Sequence, residues 1–225
     1  MGNAILRLGW EFNGGWMPWR VTKQAQAEAY GEYWRQIVKT MRAVPGAEKL
    51  NFCWNPNFGY QAYPLDKSWP GDDYVDNIGI DIYDDGYEKG TYPWPADATA
   101  EDIQARRERA WETYYKGSYG LLWFKKFAAQ HHKPLSIPEW GVNRKPDKHG
   151  GLDNPYFVEQ MHKLICDPAN NVEWHCYFDV EAGDGGHQLS PGLNNRPSQF
   201  PKSAELFHKL FAVPGAATKA AEKAP

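Results

Sequence analysis

The chain has 225 residues and a formal net charge of −3, and 42% of its side chains are hydrophobic. This length can bury one sizeable core, and the slightly acidic balance argues against nucleic acid or an acidic membrane surface as a partner. No apolar run approaches the roughly 20 residues of a membrane span, and the first residues lack a signal-peptide pattern. We expect one domain over residues 1–212 and a disordered tail over residues 213–225, which shows no apolar periodicity.

Short apolar strands alternate with longer helical segments along the chain, and Gly117 and Gly120 predict an interruption of the second helix. This alternation is typical of a parallel sheet covered by helices, and both a doubly wound sheet and a barrel fit it. The absence of a GxGxxG or Walker sequence after any strand argues against a nucleotide cofactor. Strands are predicted at 4–11, 50–54, 75–83, 134–139 and 172–178, and helices at 25–43, 101–130, 154–166 and 203–211.

Polar and aromatic residues follow the predicted strands. Functional residues at the carboxyl ends of several parallel strands are typical of the upper rim of a (β/α) barrel. The pattern therefore favours the barrel over the doubly wound sheet. The residues in these positions are Glu11, Asn13, Trp54, Asn55, Tyr83, Asp84, Glu139, Trp140, Tyr177 and Asp179.

Two glutamates stand out among them. Glu11 ends the first strand in GWEFNG, and Glu139 ends the fourth in SIPEWG. Either one alone could be a rim residue or the carboxylate at a helix start, but the Trp and Gly beside each favour a shared site. Two carboxyls facing each other across a cleft are the groups that cleave a glycosidic bond. An apolar wall from Trp10 or Phe12 is expected to raise the pKa of Glu11, whereas Arg or Tyr donors would keep Glu139 ionised.

Four segments of the chain resemble glycoside hydrolase family 26: LRLGWEFNGGWMPW, FCWNPN, PGDDYVDNIGIDIYD and KPLSIPEWGV. That family belongs to a clan of retaining (β/α)8-barrel glycosidases. The resemblance implies that Glu11 is the acid/base and Glu139 the nucleophile. It further implies a retaining endo-β-glycosidase that hydrolyses mannan, β-glucan or an exopolysaccharide, without a cofactor. The family is usually exported, so the resemblance and the N-terminal sequence leave the cellular location open.

The resemblance also assigns supporting residues. It implies that Tyr83 hydrogen-bonds the nucleophile, that Arg7 is a buried arginine of the first strand, and that Asn13 belongs to the acid/base motif. Trp140 and Trp174 resemble floor residues of the central sugar subsite. Sugar rings stack on indole and phenol rings and their hydroxyls bind amides, although core packing stays open for every aromatic residue. The remaining candidates for substrate binding are Trp10, which stands where many family members have His, and Trp16, Trp54, Asn55 and Tyr177.

The resemblance aligns the first strand with the fourth strand of the clan. The fold class expected is therefore a parallel (β/α) barrel truncated to about five βα units, strands four to eight. An open sheet of this kind would expose two edges. The chain could be a fragment, a naturally shortened member, or one copy of an assembly that covers the open side. We expect a shortened barrel that closes as a homo-oligomer.

A second function class stays open, in which the chain is a carbohydrate-binding remnant that does not cut its glycan. Product analysis on several polysaccharides separates the two. We expect no metal site, because the acidic cluster of Asp72, Asp73 and Asp76 lacks EF-hand spacing. The three cysteines, Cys53, Cys166 and Cys176, have no zinc-site spacing; we expect buried free thiols rather than a disulfide between the last two.

Overall fold

The computed structural model describes residues 4–59, 61–191 and 197–212. The chain divides into two compact units. The first comprises Met1–Tyr83, Glu112–Trp140 and Asp167–Tyr177, and the second comprises Asp84–Trp111, Gly141–Cys166 and Phe178–Pro225. The single domain expected over residues 1–212 stays a prediction, and the tail expected at 213–225 lies outside the described residues.

Strands and helices alternate as the sequence predicts. The strands are β1 (Ile5–Leu6), β2 (Asn51–Trp54), β3 (Asn77–Tyr83), β4 (Leu135–Gly141), β5 (Val172–Tyr177), β6 (Glu181–Ala182) and β7 (Gly185–Gly186). The helices are α1 (Gln24–Arg42), α2 (Ala100–Lys116), α3 (Leu121–Gln130), α4 (Pro155–Cys166) and α5 (Pro201–Phe211). None of the helices in the described ranges has the length and apolar content needed to cross a bilayer.

Three local features differ from the predicted pattern or refine it. β1 ends at Leu6, five residues before the predicted end, because Gly9 and Glu11 take left-handed φ angles of 51° that no strand accommodates. The predicted helix over 101–130 is two helices, as the glycines indicate; a Cβ at Gly117 would lie 2.3 Å from the Thr113 carbonyl oxygen. The antiparallel β6–β7 pair has two residues in each strand, too few to give a periodic signal.

The sheet runs in the order β1–β2–β3–β4–β5, so each strand lies beside the next one along the chain. A doubly wound sheet reverses its order at a switch point, whereas a (β/α) barrel does not. The predicted truncated barrel is confirmed: the five parallel strands form a curled half-barrel. β3 is buried on both faces; its Ile78, Ile80 and Ile82 are fully inaccessible, as expected for a parallel strand covered by helices.

All three cysteines are free thiols, as predicted, but only Cys53 is buried; Cys166 and Cys176 are exposed. Cys53 lies inside the first unit, where its Sγ is 3.5 Å from the Ser136 hydroxyl. Burial raises the pKa of Cys53 to about 12, so its thiol is protonated at neutral pH and packs as a small apolar group.

We expect Gly79→Ala to lower the free energy of unfolding by about 1–3 kcal/mol. Gly79 lies in β3, and a Cβ there would stand 2.7 Å from Cys53 Sγ and 2.9 Å from Pro138 Cγ. These neighbours are held in adjacent strands, so the added methyl group overpacks the interior. Gly15→Ala is the matched control, since a Cβ at Gly15 meets no heavy atom within 4 Å. Urea unfolding compares the two variants, and equal midpoints would contradict the prediction.

Candidate active site

Successive strands of the first unit bring polar side chains together at their carboxyl ends. Arg7 directly follows β1, and Asn55 directly follows β2. Asp81 and Tyr83 lie two residues apart in β3, and Glu139 lies in β4. Alternate residues of a strand project from the same face, so Asp81 and Tyr83 reach the same side of the sheet.

Three carboxylates meet in this site. One oxygen atom each from Glu11, Asp81 and Glu139 lies within 4.8 Å of the other two. Like charges at this distance repel strongly where water is excluded. A group of three carboxylates could hold a metal ion, but here a side chain of the protein supplies the positive charge.

Arg7 is that side chain. Its Nη2 donates to Asp81 Oδ2 at 2.6 Å, and its Nη1 donates to Glu139 Oε1 at 2.8 Å. Its Nε donates to Asn55 Oδ1 at 2.5 Å. The guanidinium therefore compensates two carboxylates at once, and its planar fork fixes their orientation. Burial raises the pKa of Asp81 well above its ordinary value of 3.8, with the other two carboxylates adding to this and Arg7 opposing it.

Both carboxyl oxygens of Glu139 accept hydrogen bonds. Oε1 accepts from Arg7, and Oε2 accepts from the Tyr83 hydroxyl at 2.7 Å. Burial, with the neighbouring Glu139 carboxylate, raises the pKa of Tyr83 well above its ordinary value, so the phenol is protonated and donates. The two donors, one on each oxygen, fix the direction of the Glu139 carboxyl.

Glu11 is held by a different set of donors. Its Oε2 accepts from the indole Nε1 of Trp16 at 2.8 Å, and its Oε1 accepts from the Asn57 amide at 3.1 Å. Its backbone N–H donates to the Asn55 carbonyl at 2.8 Å while φ is 51°. Such a backbone conformation in a non-glycine residue costs of order 1–3 kcal/mol and is found where the surrounding structure requires it. In this conformation one Glu11 carboxyl oxygen lies within 4.8 Å of an oxygen of Asp81 and an oxygen of Glu139.

Asn13 and Asn57 fix the loop beside Glu11. The Asn13 amide donates to the Asn57 carbonyl at 2.7 Å, and Asn13 Oδ1 accepts from the Asn57 backbone N–H at 2.7 Å. Asn13 thus places Asn57, whose side chain reaches Glu11. Asn55 is buried; its Oδ1 accepts a hydrogen bond from Arg7, and its amide donates to the Pro56 carbonyl. In this placement Asn55 supports the Arg7 side chain, and its predicted role in substrate binding stays a prediction.

The aromatic candidates divide into exposed and buried groups. Trp16 is 65% exposed and Trp10 36% exposed, and the Arg7 guanidinium lies 5.9 Å from the Trp10 ring. Trp54 is fully buried and packs against Phe12, Trp69 and Phe127. This placement fits core packing, the alternative to sugar binding that the sequence leaves open for aromatic residues. Phe12 also stacks on Tyr30 in this core, and its expected role as an apolar wall for Glu11 stays a prediction.

Trp140, Trp174 and Tyr177 lie on β4 and β5. Trp140 is buried; its Nε1 donates to His175 Nδ1 at 3.2 Å, and its ring meets the edge of Tyr177. Trp174 and Tyr177 are partly exposed. The indole Nε1 of Trp174 is buried and has no hydrogen-bond partner within the described residues.

Two residues of the site were not singled out for it by the sequence. Asp81 is the fully buried partner of Arg7. Asn57 donates its side-chain amide to Glu11. The spacing of Asp81 two residues before Tyr83 in a strand is the signal that could have placed Asp81 in the site.

Comparison with known proteins points to one family. The model of glycosyl hydrolase family 26 matches residues 3–94. A mannan endo-1,4-β-mannosidase of Bifidobacterium adolescentis is 29% identical over 189 residues, which are 81% of this chain and 16% of that protein.

Solved structures show the same fold. A modular endo-β-1,4-mannanase from Cellulomonas fimi superposes with a TM-score of 0.58 and 21% identity, covering 94% of this chain and 41% of that one. The catalytic domain of a Bacillus sp. JAMB-750 endo-β-1,4-mannanase gives a TM-score of 0.54 and 19% identity, covering 92% of this chain and 50% of that one. The chain thus spans half or less of these relatives. The resemblance to glycosyl hydrolase family 26 is confirmed, in sequence over residues 3–94 and in fold over 94% of the chain.

Proposed function

We propose that the chain is a glycoside hydrolase, a retaining endo-β-glycosidase that cleaves a β-linked polysaccharide by double displacement. The observation that carries this proposal is the approach of the Glu11 and Glu139 carboxyl oxygens to within 4.8 Å. Retaining glycosidases have their two carboxyls roughly 5–5.5 Å apart, whereas inverting enzymes leave roughly 6.5–9.5 Å for a water molecule. The spacing therefore supports attack by a carboxylate rather than by water.

The two glutamates have different surroundings, which supports different roles. Glu139 accepts from a cation and a phenol, so it suits the nucleophile that attacks the anomeric carbon. Glu11 accepts from a neutral indole and a neutral amide, which stabilise its negative charge less than the Arg7 cation stabilises that of Glu139, so Glu11 is the better candidate for the acid that protonates the leaving oxygen. Glu11 would then take a proton from the water that releases the glycosyl-enzyme. Trp10 and Trp16 are exposed beside this pair and offer faces on which sugar rings could stack.

The substrate proposed is a β-linked mannan, because the relatives that match this chain are named as mannanases. Incubation with mannan should release new reducing ends, and with mixed-linkage β-glucan, 1,3-xylan and a bacterial exopolysaccharide the yield should be lower. Glu139→Gln is the control, since it keeps the shape of the side chain without the nucleophile. Binding of mannan with no new reducing ends would favour the carbohydrate-binding remnant instead.

We expect Tyr83→Phe to lower kcat about 10- to 100-fold and to leave KM nearly unchanged. The variant removes a hydrogen bond to a charged group, which contributes about 1.5–3 kcal/mol, and frees one oxygen of Glu139. Tyr87→Phe is a suitable control, because its hydroxyl binds the exposed Asp147. A kcat equal to that of the unchanged protein would remove Tyr83 from the positioning of Glu139.

We propose that a second copy of the chain covers the open edge at β1. Among the described strands, β1 has β2 as its single neighbour, and Ile5 of β1 is 40% exposed. A groove of about 410 Å³ near the N-terminal half of α1 is lined mostly by apolar side chains that include Trp19 and Tyr33, together with Arg20 and Gln26. Exposed strand edges and apolar surface favour association. Sedimentation at micromolar concentration should show a dimer that Tyr33→Glu dissociates, whereas a monomer would contradict this proposal.

A further inference from the structure

The second unit contains a small cavity whose lining combines apolar and cationic side chains. Its volume is about 260 Å³. Ligand sites for drug-sized molecules usually measure roughly 300–1,000 Å³, so this cavity suits a single ring rather than a chain of sugars. Pro93, Trp94 and Leu152 supply the apolar part of the lining, and Arg144, Lys145 and Lys148 supply the positive charge.

The positive charge of this cavity is only partly compensated. Lys145 Nζ lies 3.3 Å from the Asp85 carboxylate, so this ammonium already has a partner. Arg144 and Lys148 are exposed, and within the described residues neither forms an ion pair with an acidic side chain. Two cations therefore line the cavity without an ion-pair partner among the described residues, with the Arg144 guanidinium 6.0 Å from the Phe200 ring, and they favour an anionic ligand.

The segment that carries these cations is held in a defined shape. The backbone of Arg144 exchanges two hydrogen bonds with Gly186, at 2.9 and 3.1 Å. Lys148 donates its backbone N–H to the Lys145 carbonyl at 3.0 Å and has a left-handed φ of 66°. A Cβ at Gly150 would stand 2.3 Å from the Asn143 carbonyl oxygen, so the turn closes tightly onto the preceding strand end.

Trp94 is likewise fixed. The Arg107 guanidinium lies 5.8 Å from its ring, and Tyr92 packs edge-on at 5.8 Å. Arg107 is itself anchored by hydrogen bonds to the Gly151 and Asp153 carbonyls. Trp94 is partly exposed and lines the cavity, so it offers an indole surface to a ligand without first paying the entropy of ordering the ring.

We propose that this cavity binds an anionic sugar unit, a hexuronate, with its ring against Trp94 and its carboxylate on Arg144 and Lys148. A simple inorganic anion would bind the cations but would make no apolar contact with Pro93, Trp94 and Leu152. The C–H face of a sugar ring uses that wall, and guanidinium binds carboxylate through paired hydrogen bonds. The site binds rather than cleaves, and it does not depend on the hydrolase activity proposed for the first unit.

The test is titration of the full chain at low salt with D-glucuronate, D-glucose and acetate, followed by calorimetry. Saturable binding of glucuronate, with much weaker binding of glucose and acetate, is expected. Arg144→Gln should weaken glucuronate binding roughly tenfold, as the loss of a charge-assisted hydrogen bond does. Lys89→Gln removes the same charge from an exposed position of this unit outside the cavity, so its effect should stay within about twofold.

The other outcomes overturn the proposal. Equal affinity for acetate and glucuronate would identify a simple anion site without a sugar component. Unchanged glucuronate affinity in both Arg144→Gln and Trp94→Phe would place the ligand elsewhere, and absence of saturable binding would remove the site. Glu139→Gln should bind glucuronate as the unchanged chain does, so failure of the hydrolase proposal and failure of this one give different results.

Discussion

Glu139→Ala is expected to lower kcat on the cleaved glycan by roughly 10⁴- to 10⁶-fold, the range seen when a nucleophile is removed from an enzyme. Under the proposed double displacement, no glycosyl-enzyme forms without this carboxylate, although Arg7 and Tyr83 still line the space it leaves. Sodium azide should restore part of the turnover on an aryl glycoside with a good leaving group. A small anion that attacks in place of Glu139 gives a glycosyl azide of inverted configuration.

Glu11→Ala should behave differently under the same conditions. Loss of general acid catalysis costs about 10²- to 10⁴-fold, and less when the leaving group needs no proton. Azide should then intercept the glycosyl-enzyme and give an azide of retained configuration. NMR determines the configuration of the two glycosyl azides, and the two configurations together assign the nucleophile and the acid/base. Full activity in either variant, or the same product configuration from both, would contradict the double displacement.

Arg7→Met is expected to lower the free energy of unfolding by about 3–5 kcal/mol at pH 7.5, because it leaves the buried Asp81 carboxylate without its cation. Lys163→Met breaks the exposed pair with Glu159 and should cost less than about 1 kcal/mol. Urea unfolding measures both. A loss below 1 kcal/mol for Arg7→Met would show that Asp81 does not depend on Arg7.

The cost of Arg7→Met should depend on pH. Burial raises the folded pKa of Asp81 above its ordinary value of 3.8, so the folded protein binds this proton more tightly than the unfolded chain does. Such a carboxyl destabilises the fold as pH rises from the unfolded pKa through the folded one. Removing Arg7 raises the folded pKa of Asp81 further and widens that pH window, so the deficit should be small near pH 4 and should grow as the pH rises. In the double variant Arg7→Met/Asp81→Asn, most of the lost stability should return.

Local sequence was sufficient for the order of strands and helices and for two of the acidic residues. The isoleucines of β3 alternate within a fully buried strand, and that run is recognisable without a structure. Glu11 and Glu139 each follow an apolar stretch beside Trp and Gly, which is also a local pattern. The break between α2 and α3 followed from its glycines, because neither position has room for a side chain.

Residues 8–20 were harder, since turns have no period that tells which side chains face the core. Trp16 and Phe12 are both aromatic and near Glu11 in sequence, yet Trp16 binds the Glu11 carboxyl and Phe12 packs in the core. The left-handed backbone at Glu11 depends on a hydrogen bond to Asn55, which lies 44 positions further along the chain. Only the folded chain fixes such a choice.

By itself, the sequence determined an alternating α/β chain and two glutamates that each lie beside Trp and Gly, because hydrophobic period and short motifs are local properties. The tertiary structure decided which charged side chains of the site pair with one another. Arg7 meets Asp81 across 74 positions of sequence and Glu139 across 132. Whether the charge of a buried carboxylate is compensated by a cation depends on which side chains the sheet brings within hydrogen-bonding distance. The residues next to the carboxylate in sequence do not indicate which side chains these are.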